Sequence, residues 1–209
     1  MFVACSVVCV SYTTGSGGDE IGKLVAERLG YLYLDEDIVA HAAAEGGIDP
    51  GDIADEERRK SVASRILQTF AEGGGDTWAL AAAHGMEVPR PADVRALIRE
   101  TVVQTAARGS VVIVAHAASY ALGGGPDTLR VFATASPTTR EKRIAAAADD
   151  GERAQAARVI KDSDAGRRDY LKRFYSVDRE SPTDYDLVVN TDLMSTEQAA
   201  AIVLHAAER

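Results

Sequence analysis

A cluster of glycines between an apolar segment and an amphipathic one constrains the fold of this chain more than any other feature. The apolar segment, residues 2–10, is rich in Val and Cys with few polar breaks, which is typical of a strand buried on both faces of a parallel sheet. Residues 19–29 carry apolar side chains at helical spacing, with acids in the first turn. Because Gly15, Gly17 and Gly18 stand between the two, the sequence predicts a strand, a glycine-rich loop and a helix in succession.

Strands and helices alternate along most of the remaining sequence, and residues 46–92 interrupt that alternation. Because part of this stretch is helical by composition, we expect an inserted, mainly helical region there. The chain of 209 residues fits one domain, for which we predict an α/β fold with a five-stranded parallel sheet and helices on both faces. The further strands are predicted at 31–34, 110–114, 129–133 and 186–190, and the helices at 36–45, 53–72, 91–108, 138–148 and on both sides of Gly166, with a last helix opened by Ser195 and Gln198 as a capping box.

Composition excludes several classes of protein. Hydrophobic residues make up 46% of the chain and charged residues 26%, a globular balance that excludes disorder and low complexity. The apolar run 1–10 is about half the length of a membrane span and lacks the features of a signal peptide, so we expect a cytoplasmic protein without a membrane segment. On a straight strand Cys5 and Cys9 would lie about 13 Å apart, too far for a disulfide, and they are predicted to be small buried hydrophobes.

Charge is distributed unevenly along the chain. The net charge of −9 disfavours a general nucleic-acid binder. Residues 140–179, however, carry eleven basic and eight acidic side chains, a local charge of +3 that leaves −12 for the rest. Two interpretations remain open from composition alone: a surface that holds a compact polyanion, and an ordinary solvated helix face.

The glycine-rich loop is the best candidate for a binding site. In an open parallel sheet, ligands bind beyond the carboxyl ends of the strands, and the loop falls at such an end. Glycines let backbone amides approach a phosphate closely, and the following helix adds its positive N-terminus. The alternative is a tight turn without a ligand.

The loop departs from the full P-loop pattern, which has a glycine, four residues and then Gly-Lys-Ser or Gly-Lys-Thr. Tyr12 stands where the pattern has its first glycine, and Gly18 stands where it has lysine. Asp19 or Glu20 occupies the position of the magnesium-binding hydroxyl. The loop therefore lacks the point charge that usually contacts the β- and γ-phosphates, and Lys23, one turn further on, compensates only if it reaches back.

Several segments together carry a family resemblance. They are residues 11–22, 33–35, 112–114, 168–170 and 185–191. In this order and spacing, over residues 3–203, the chain resembles the cytidylate-kinase-like branch of the P-loop nucleoside monophosphate kinases. The resemblance implies a P-loop fold that holds ATP with Mg²⁺ on the loop, an acceptor nucleotide such as CMP or dCMP on the insert, and an arginine-bearing lid at about residues 150–180.

The same resemblance implies roles for individual residues. Arg140 and Arg143 are less favoured as lid residues than the basic residues further along, because a helix packed on a sheet often carries such charges on its outer face. The residues implied are Thr14, Gly15, Ser16, Gly17, Gly18, Asp19, Glu20 and Lys23 for nucleotide phosphates, Arg158, Lys161, Arg167 and Arg168 as catalytic lid cations, and Asp35, His41 and His116 for the acceptor.

His41 and His116 stand where bacterial cytidylate kinases carry arginines. Neutral imidazole can hydrogen-bond a phosphate but brings no obligatory charge near pH 7. We therefore expect affinity for a CMP dianion that is reduced or depends on pH.

Two functions remain in competition. One is a nucleoside monophosphate kinase that uses ATP and Mg²⁺. The other is a catalytically weak or inactive protein that binds nucleotides or a protein partner on the same scaffold, because the chemically important positions are the altered ones. A resident metal centre is not expected, because the four histidines are scattered along the chain. The oligomeric state is not predicted.

Overall fold

The computed structural model describes residues 5–35, 91–115, 117–147 and 155–208. By contacts, the chain divides into two compact units, residues 1–33 with 106–209, and residues 34–105. The described elements are β1 (Val7–Tyr12), α1 (Gly18–Leu29), β2 (Leu32–Asp35), α2 (Pro91–Arg108), β3 (Val111–Val114), α3 (Ala118–Leu122), β4 (Thr128–Thr134), α4 (Pro137–Ala147), α5 (Ala156–Tyr175), a 3₁₀ turn (Pro182–Asp184), β5 (Leu187–Asn190) and α6 (Thr196–Ala207).

The five described strands form one sheet in the order β2-β3-β1-β4-β5. β1 pairs in parallel with both β3 and β4, and β4 pairs in parallel with β5. The carboxyl ends of β1, β3, β4 and β5 therefore meet at one edge, and the loops that follow these strands leave the sheet together. This confirms the predicted five-stranded parallel sheet.

β1 lies later in the chain than its composition indicates. The composition predicts a strand over residues 2–10, of which residues 2–4 lie outside the described residues, whereas the described strand begins at Val7 and ends at Tyr12. Ser11 and Tyr12 belong to it because they pair in register with Phe132 and Ala133 of β4. Pairing with a neighbouring strand thus extends β1 to the first residues of the glycine-rich segment.

Alternate residues of β1 face two different layers. Val8 and Val10 are fully buried in a core cluster that also contains residues of α1 and α6. On the other face, Ser11 is buried and its Oγ lies 3.1 Å from Ser119 Oγ of α3. Cys9 is buried as a free thiol, and burial raises its pKa to about 12. Both cysteines are buried and unbridged, as predicted.

The helix ends follow local sequence signals. Ser195 Oγ accepts a hydrogen bond from the Gln198 amide at 3.3 Å, and Gln198 Oε1 accepts one from the Ser195 amide at 3.0 Å, which confirms the capping box. α5 continues through Gly166 rather than breaking there. The helices predicted at 36–45 and 53–72 lie outside the described residues, as does the insert apart from residues 91 and 92. No helix among the described residues is long and apolar enough to cross a membrane.

Candidate nucleotide-binding site

The segment between β1 and α1 is a tight loop that two glycines shape. Gly15 and Gly17 both have φ of +83°, a left-handed backbone conformation that glycine adopts without strain. The Ser16 amide donates to the Thr13 carbonyl at 2.9 Å and closes the turn. Ser16 Oγ donates to the Ala133 carbonyl of β4 at 3.0 Å, so the tip of the turn is fixed to the sheet.

The glycines are also required by close packing. A Cβ at Gly15 would lie 3.0 Å from the Arg140 carbonyl oxygen, and one at Gly17 would lie 2.7 Å from Thr196 Cγ2. A Cβ at Gly18 would clash with Cβ and Cγ of Tyr12. The loop thus fits tightly among α4, α6 and the Tyr12 side chain.

The N-terminus of α1 opens from this loop without a side-chain cap. The first amide to bond back is that of Ile21, which donates to the Gly17 carbonyl at 3.0 Å. The amides of Gly18, Asp19 and Glu20 precede it and have no acceptor within the helix. Such a helix start binds anions, since its amides and the helix dipole both favour negative charge.

Three arginines hold the loop through its carbonyl oxygens. Arg140 Nε donates to the Thr14 carbonyl at 2.9 Å, and Arg143 Nη1 donates to the Ser16 carbonyl at 3.3 Å. Arg167 Nη1 donates to the Tyr12 carbonyl at 3.3 Å. In a trans peptide, the N–H of the following residue points opposite to the carbonyl. Fixing the carbonyls of Thr14 and Ser16 therefore turns the next amides away from these arginines.

Arg140 is only 3% exposed and links the loop to α5. Its two terminal nitrogens donate to the Asp164 carboxylate at 3.1 and 2.9 Å. Beside this pair, the hydroxyls of Thr14 and Ser163 are 2.5 Å apart. The expectation that Arg140 faces outward is wrong, because α4 presents this side chain to the loop.

Arg143 also turns inward, against the same expectation. Its Nη1 donates to Thr191 Oγ1 at 2.9 Å, and its Nη2 donates to the Thr191 carbonyl at 2.6 Å. Thr191 Oγ1 in turn donates to the Ser16 carbonyl at 2.8 Å. The sequence did contain a signal for this pair, since residues 140 and 143 are three apart in the first half of a helix that starts at the binding edge of the sheet.

Arg167, one of the predicted catalytic cations, is 8% exposed and already paired. Its Nε donates to Glu180 Oε2 at 3.0 Å and its Nη2 to Glu180 Oε1 at 2.5 Å. Tyr185 also donates its hydroxyl proton to Glu180, and burial together with this bond raises the pKa of Tyr185. The guanidinium lies 5.3 Å from the centre of the Phe132 ring. Arg167 thus connects the loop to a polar and aromatic cluster.

The other predicted lid cations are exposed on α5. Arg158 forms a long ion pair with Asp162, at 3.5 Å. Lys161 and Arg168 are seven residues apart and share a helical face that adjoins Asp164, which is bound to Arg140. Of the three, Lys161 and Arg168 therefore lie on the side of α5 nearer the loop contacts.

The remaining predicted residues lie in different parts of the chain. Asp19 and Glu20 are exposed in the first turn of α1. Lys23 Nζ lies 5.7 Å from the centre of the Tyr33 ring, over that ring instead of the loop. Asp35 is the last residue of β2, whereas His41 and His116 lie outside the described residues. Within the described ranges, no group of three or more His, Cys, Asp or Glu side chains could hold a metal ion.

Known structures share this fold at low sequence identity. An uncharacterized protein from Eubacterium ventriosum ATCC 27560 superposes with a TM-score of 0.66 at 15% identity, covering 96% of this chain and 97% of that one. The shikimate kinase of Bacteroides thetaiotaomicron superposes with a TM-score of 0.55 at 16% identity, covering 97% and 98%. The shikimate kinase of Acinetobacter baumannii, in complex with shikimate, gives a TM-score of 0.52 at 14% identity, covering 96% and 91%. The chain therefore has the fold of the P-loop kinases.

Sequence comparison is more specific than fold. A protein from Roseiflexus castenholzii (strain DSM 13941 / HLO8) named cytidylate kinase is 27% identical over 226 aligned positions, which cover 96% of this chain and 93% of that protein. The model of the cytidylate kinase-like family matches residues 7–193, from the start of β1 to the loop after β5. The chain belongs to the cytidylate kinase-like family.

Proposed function

We propose that this protein transfers the γ-phosphoryl group of ATP to a nucleoside monophosphate of the CMP or dCMP type. In this reaction a phosphate oxygen of the acceptor attacks the γ-phosphorus, the bond to the β,γ-bridging oxygen breaks, and ADP leaves with a nucleoside diphosphate as the other product. The acceptor oxygen is already ionised at neutral pH, so the step needs no general base. Positioning and charge stabilisation are what the protein must supply.

The observation that carries this proposal is the uncapped start of α1 behind a loop whose carbonyls are bound from the far side. Arg140 and Arg143 hold the Thr14 and Ser16 carbonyls, which leaves the amides of Gly15 and Gly17 directed away from them. The first-turn amides of α1 add further donors. This arrangement suits the β- and γ-phosphates of a nucleoside triphosphate.

The residues at the loop suit magnesium, with carboxylates as ligands where the P-loop pattern has a hydroxyl. Asp19 and Glu20 place two carboxylates in the first turn of α1. Carboxylates next to a polyphosphate repel it unless a divalent cation lies between them, and Mg²⁺ binds carboxylate and phosphate oxygens together. Asp19 and Glu20 are therefore the residues that would hold it, and Mg²⁺ would neutralise charge on the transferring group.

The acceptor and lid assignments rest on the family pattern. We assign Asp35, His41 and His116 to acceptor binding, and Arg158, Lys161 and Arg168 to stabilising negative charge on the equatorial oxygens. Arg167 is assigned an indirect role. It pairs with Glu180 and donates to the Tyr12 carbonyl, so it supports the loop instead of contacting the transferring group.

The competing function is binding of a nucleotide or partner without phosphoryl transfer. The glycine at position 18, where the P-loop pattern has lysine, favours it. The test is to incubate the purified protein with ATP, Mg²⁺ and a panel of monophosphates, CMP and dCMP first, and to measure nucleoside diphosphates by chromatography alongside the melting temperature. Formation of CDP or dCDP supports the kinase. If no diphosphate appears while ATP or CMP still raises the melting temperature, binding alone is the function.

A further inference from the structure

Two of the departures from the P-loop pattern, at positions 12 and 18, are spatially one change. Tyr12 and Gly18 are six positions apart, yet a Cβ at Gly18 would clash with Cβ and Cγ of Tyr12. These tyrosine atoms lie next to the backbone and cannot swing away as the end of a long side chain would. The space that a lysine stem would need is therefore filled by Tyr12, and the loop has no room for a cation at position 18.

The three arginines around the loop differ in what neutralises them. Arg140 is paired with the Asp164 carboxylate, and Arg167 with the Glu180 carboxylate. Arg143 instead donates to the Gly15, Ser16 and Thr191 carbonyls and to the Thr191 hydroxyl. Among the described residues, no carboxylate pairs with Arg143. Its positive charge is thus the one of the three that a neighbouring carboxylate does not cancel.

We propose that Arg143 takes over the electrostatic role of the missing loop lysine, acting through the loop from the side opposite the phosphates. The Ser16 carbonyl accepts from this guanidinium, so the Ser16–Gly17 peptide unit, whose amide points the opposite way, is aligned to favour negative charge on the far side of the loop. Arg143 is a positioning and charge-supplying residue for the donor phosphates. The inference rests on the proposed function, because it requires a polyphosphate at the loop.

The first experiment compares Arg143→Gln with Arg143→Lys by calorimetric titration of MgATP. Arg143→Gln removes the charge and is expected to weaken ATP binding roughly tenfold, equivalent to about 1.4 kcal/mol. Arg143→Lys keeps the charge but loses the fork to Thr191, and is expected to stay within about threefold of the unmodified protein. The control is Arg130→Gln, which breaks a bidentate ion pair with Asp186 before β5, away from the loop, and is expected to leave ATP affinity unchanged.

A second experiment distinguishes an electrostatic role of Arg143 from a purely structural role in holding the loop. Tyr12→Gly with Gly18→Lys places a lysine on the loop and removes the clash. If Arg143 stands in for that lysine, this pair of changes restores ATP affinity to Arg143→Gln. A purely structural Arg143 would instead make Arg143→Lys as damaging as Arg143→Gln, and the added lysine would restore nothing.

The outcomes distinguish the inference from the proposed function. If the unmodified protein binds MgATP and Arg143→Gln binds it equally well, the inference is overturned while the nucleotide site stands. If the unmodified protein binds no nucleoside triphosphate, the proposed function falls and the inference with it. If the variant with Gly18→Lys fails to fold, the comparison of Arg143→Gln with Arg143→Lys decides the question. A weaker salt dependence of ATP binding in Arg143→Gln then provides the second measurement.

Discussion

Arg140 and Asp164 form a bidentate ion pair that joins the start of α4 to the middle of α5, with the arginine buried and the carboxylate partly exposed. The same guanidinium donates its Nε proton to the Thr14 carbonyl. One side chain thus fixes both the loop and the helix that carries the predicted lid cations. The position of that helix and the shape of the loop are therefore coupled through Arg140.

Asp164→Asn tests this coupling. Removing the charge leaves Arg140 buried without its counter-ion, and we expect the free energy of unfolding to fall by about 1–3 kcal/mol, less than for a fully buried pair because Asp164 is partly exposed. Urea denaturation measures it. Asp162→Asn, in an exposed ion pair on the same helix, should change stability by less than about 0.5 kcal/mol. Equal effects of the two substitutions would contradict the coupling.

Gly18→Lys alone is expected to fail as a way of restoring a loop lysine. The side chain would clash with Tyr12, and even Gly18→Ala should destabilise the protein by about 1–3 kcal/mol. Gly166→Ala is the matched control, since nothing lies within 4 Å of a Cβ there and alanine favours a helix by about 0.5–1 kcal/mol. Thermal or urea unfolding should show opposite signs for the two alanine variants. A stabilised Gly18→Ala would refute the clash.

Asp19→Asn should change how ATP binding depends on Mg²⁺. Without the cation, loss of one carboxylate beside the loop lowers repulsion, so ATP should bind the variant more tightly than the unmodified protein. With the cation, loss of a ligand should weaken binding. Titrations of ATP at zero and millimolar Mg²⁺ give both values. Glu27→Gln, exposed near the other end of α1, should behave like the unmodified protein in both conditions, and a parallel response of Asp19→Asn would argue against this site for Mg²⁺.

Arg168→Ala tests the lid assignment. Arg168 lies on the face of α5 that adjoins Asp164, and we expect its loss to lower kcat by about tenfold or more with a smaller change in KM, as for a charge that acts mainly in the transition state. Arg173→Ala, which removes a cation beside the Phe174 ring on the same helix, is the control. Similar kinetics of the two variants would remove Arg168 from the catalytic set.

Alkaline pH should destabilise the protein in a defined window. Burial raises the pKa of the Tyr120 hydroxyl from 10.0 to about 12 and that of the Cys9 thiol from 9.0 to about 12. The unfolded chain therefore loses these protons first, as it also loses that of Tyr185, whose pKa is raised as well, and the free energy of unfolding should fall as pH rises from about 9 through about 12. Denaturation at a series of pH values measures the slope. Tyr120→Phe should flatten the upper part of this dependence, and an unchanged slope would assign the effect elsewhere.

The five-stranded parallel sheet could be predicted from the sequence because its strands are short, apolar and separated by clear breaks. The capping box at Ser195 and the glycine-rich loop were equally readable, since both depend on residues close together in the chain. The observed end of β1 lies beyond the predicted one because the strand conformation of Ser11 and Tyr12 depends on pairing with β4. Local pattern carries no information on such a partner.

The contacts of the arginines around the loop could not be predicted from the sequence, for a different reason. A helical pattern groups Arg140 with Arg143 but does not say which side of α4 meets the loop, because that depends on how the helix packs. The clash between Tyr12 and a side chain at Gly18 is likewise invisible in a motif, which compares one position at a time. Both relationships arise where separate segments converge at the carboxyl edge of the sheet.

Ser16 is bonded in several directions: its hydroxyl to Ala133, its amide to Thr13, and its carbonyl to Arg143 and Thr191. A loop held in this way loses its conformational freedom when the chain folds, before any ligand arrives. Binding at such a loop needs little further ordering, so the entropic penalty that often weakens recognition by flexible glycine segments is largely absent. Substitutions that loosen Ser16 should therefore appear first as an unfavourable binding entropy, with the enthalpy of phosphate contact little changed.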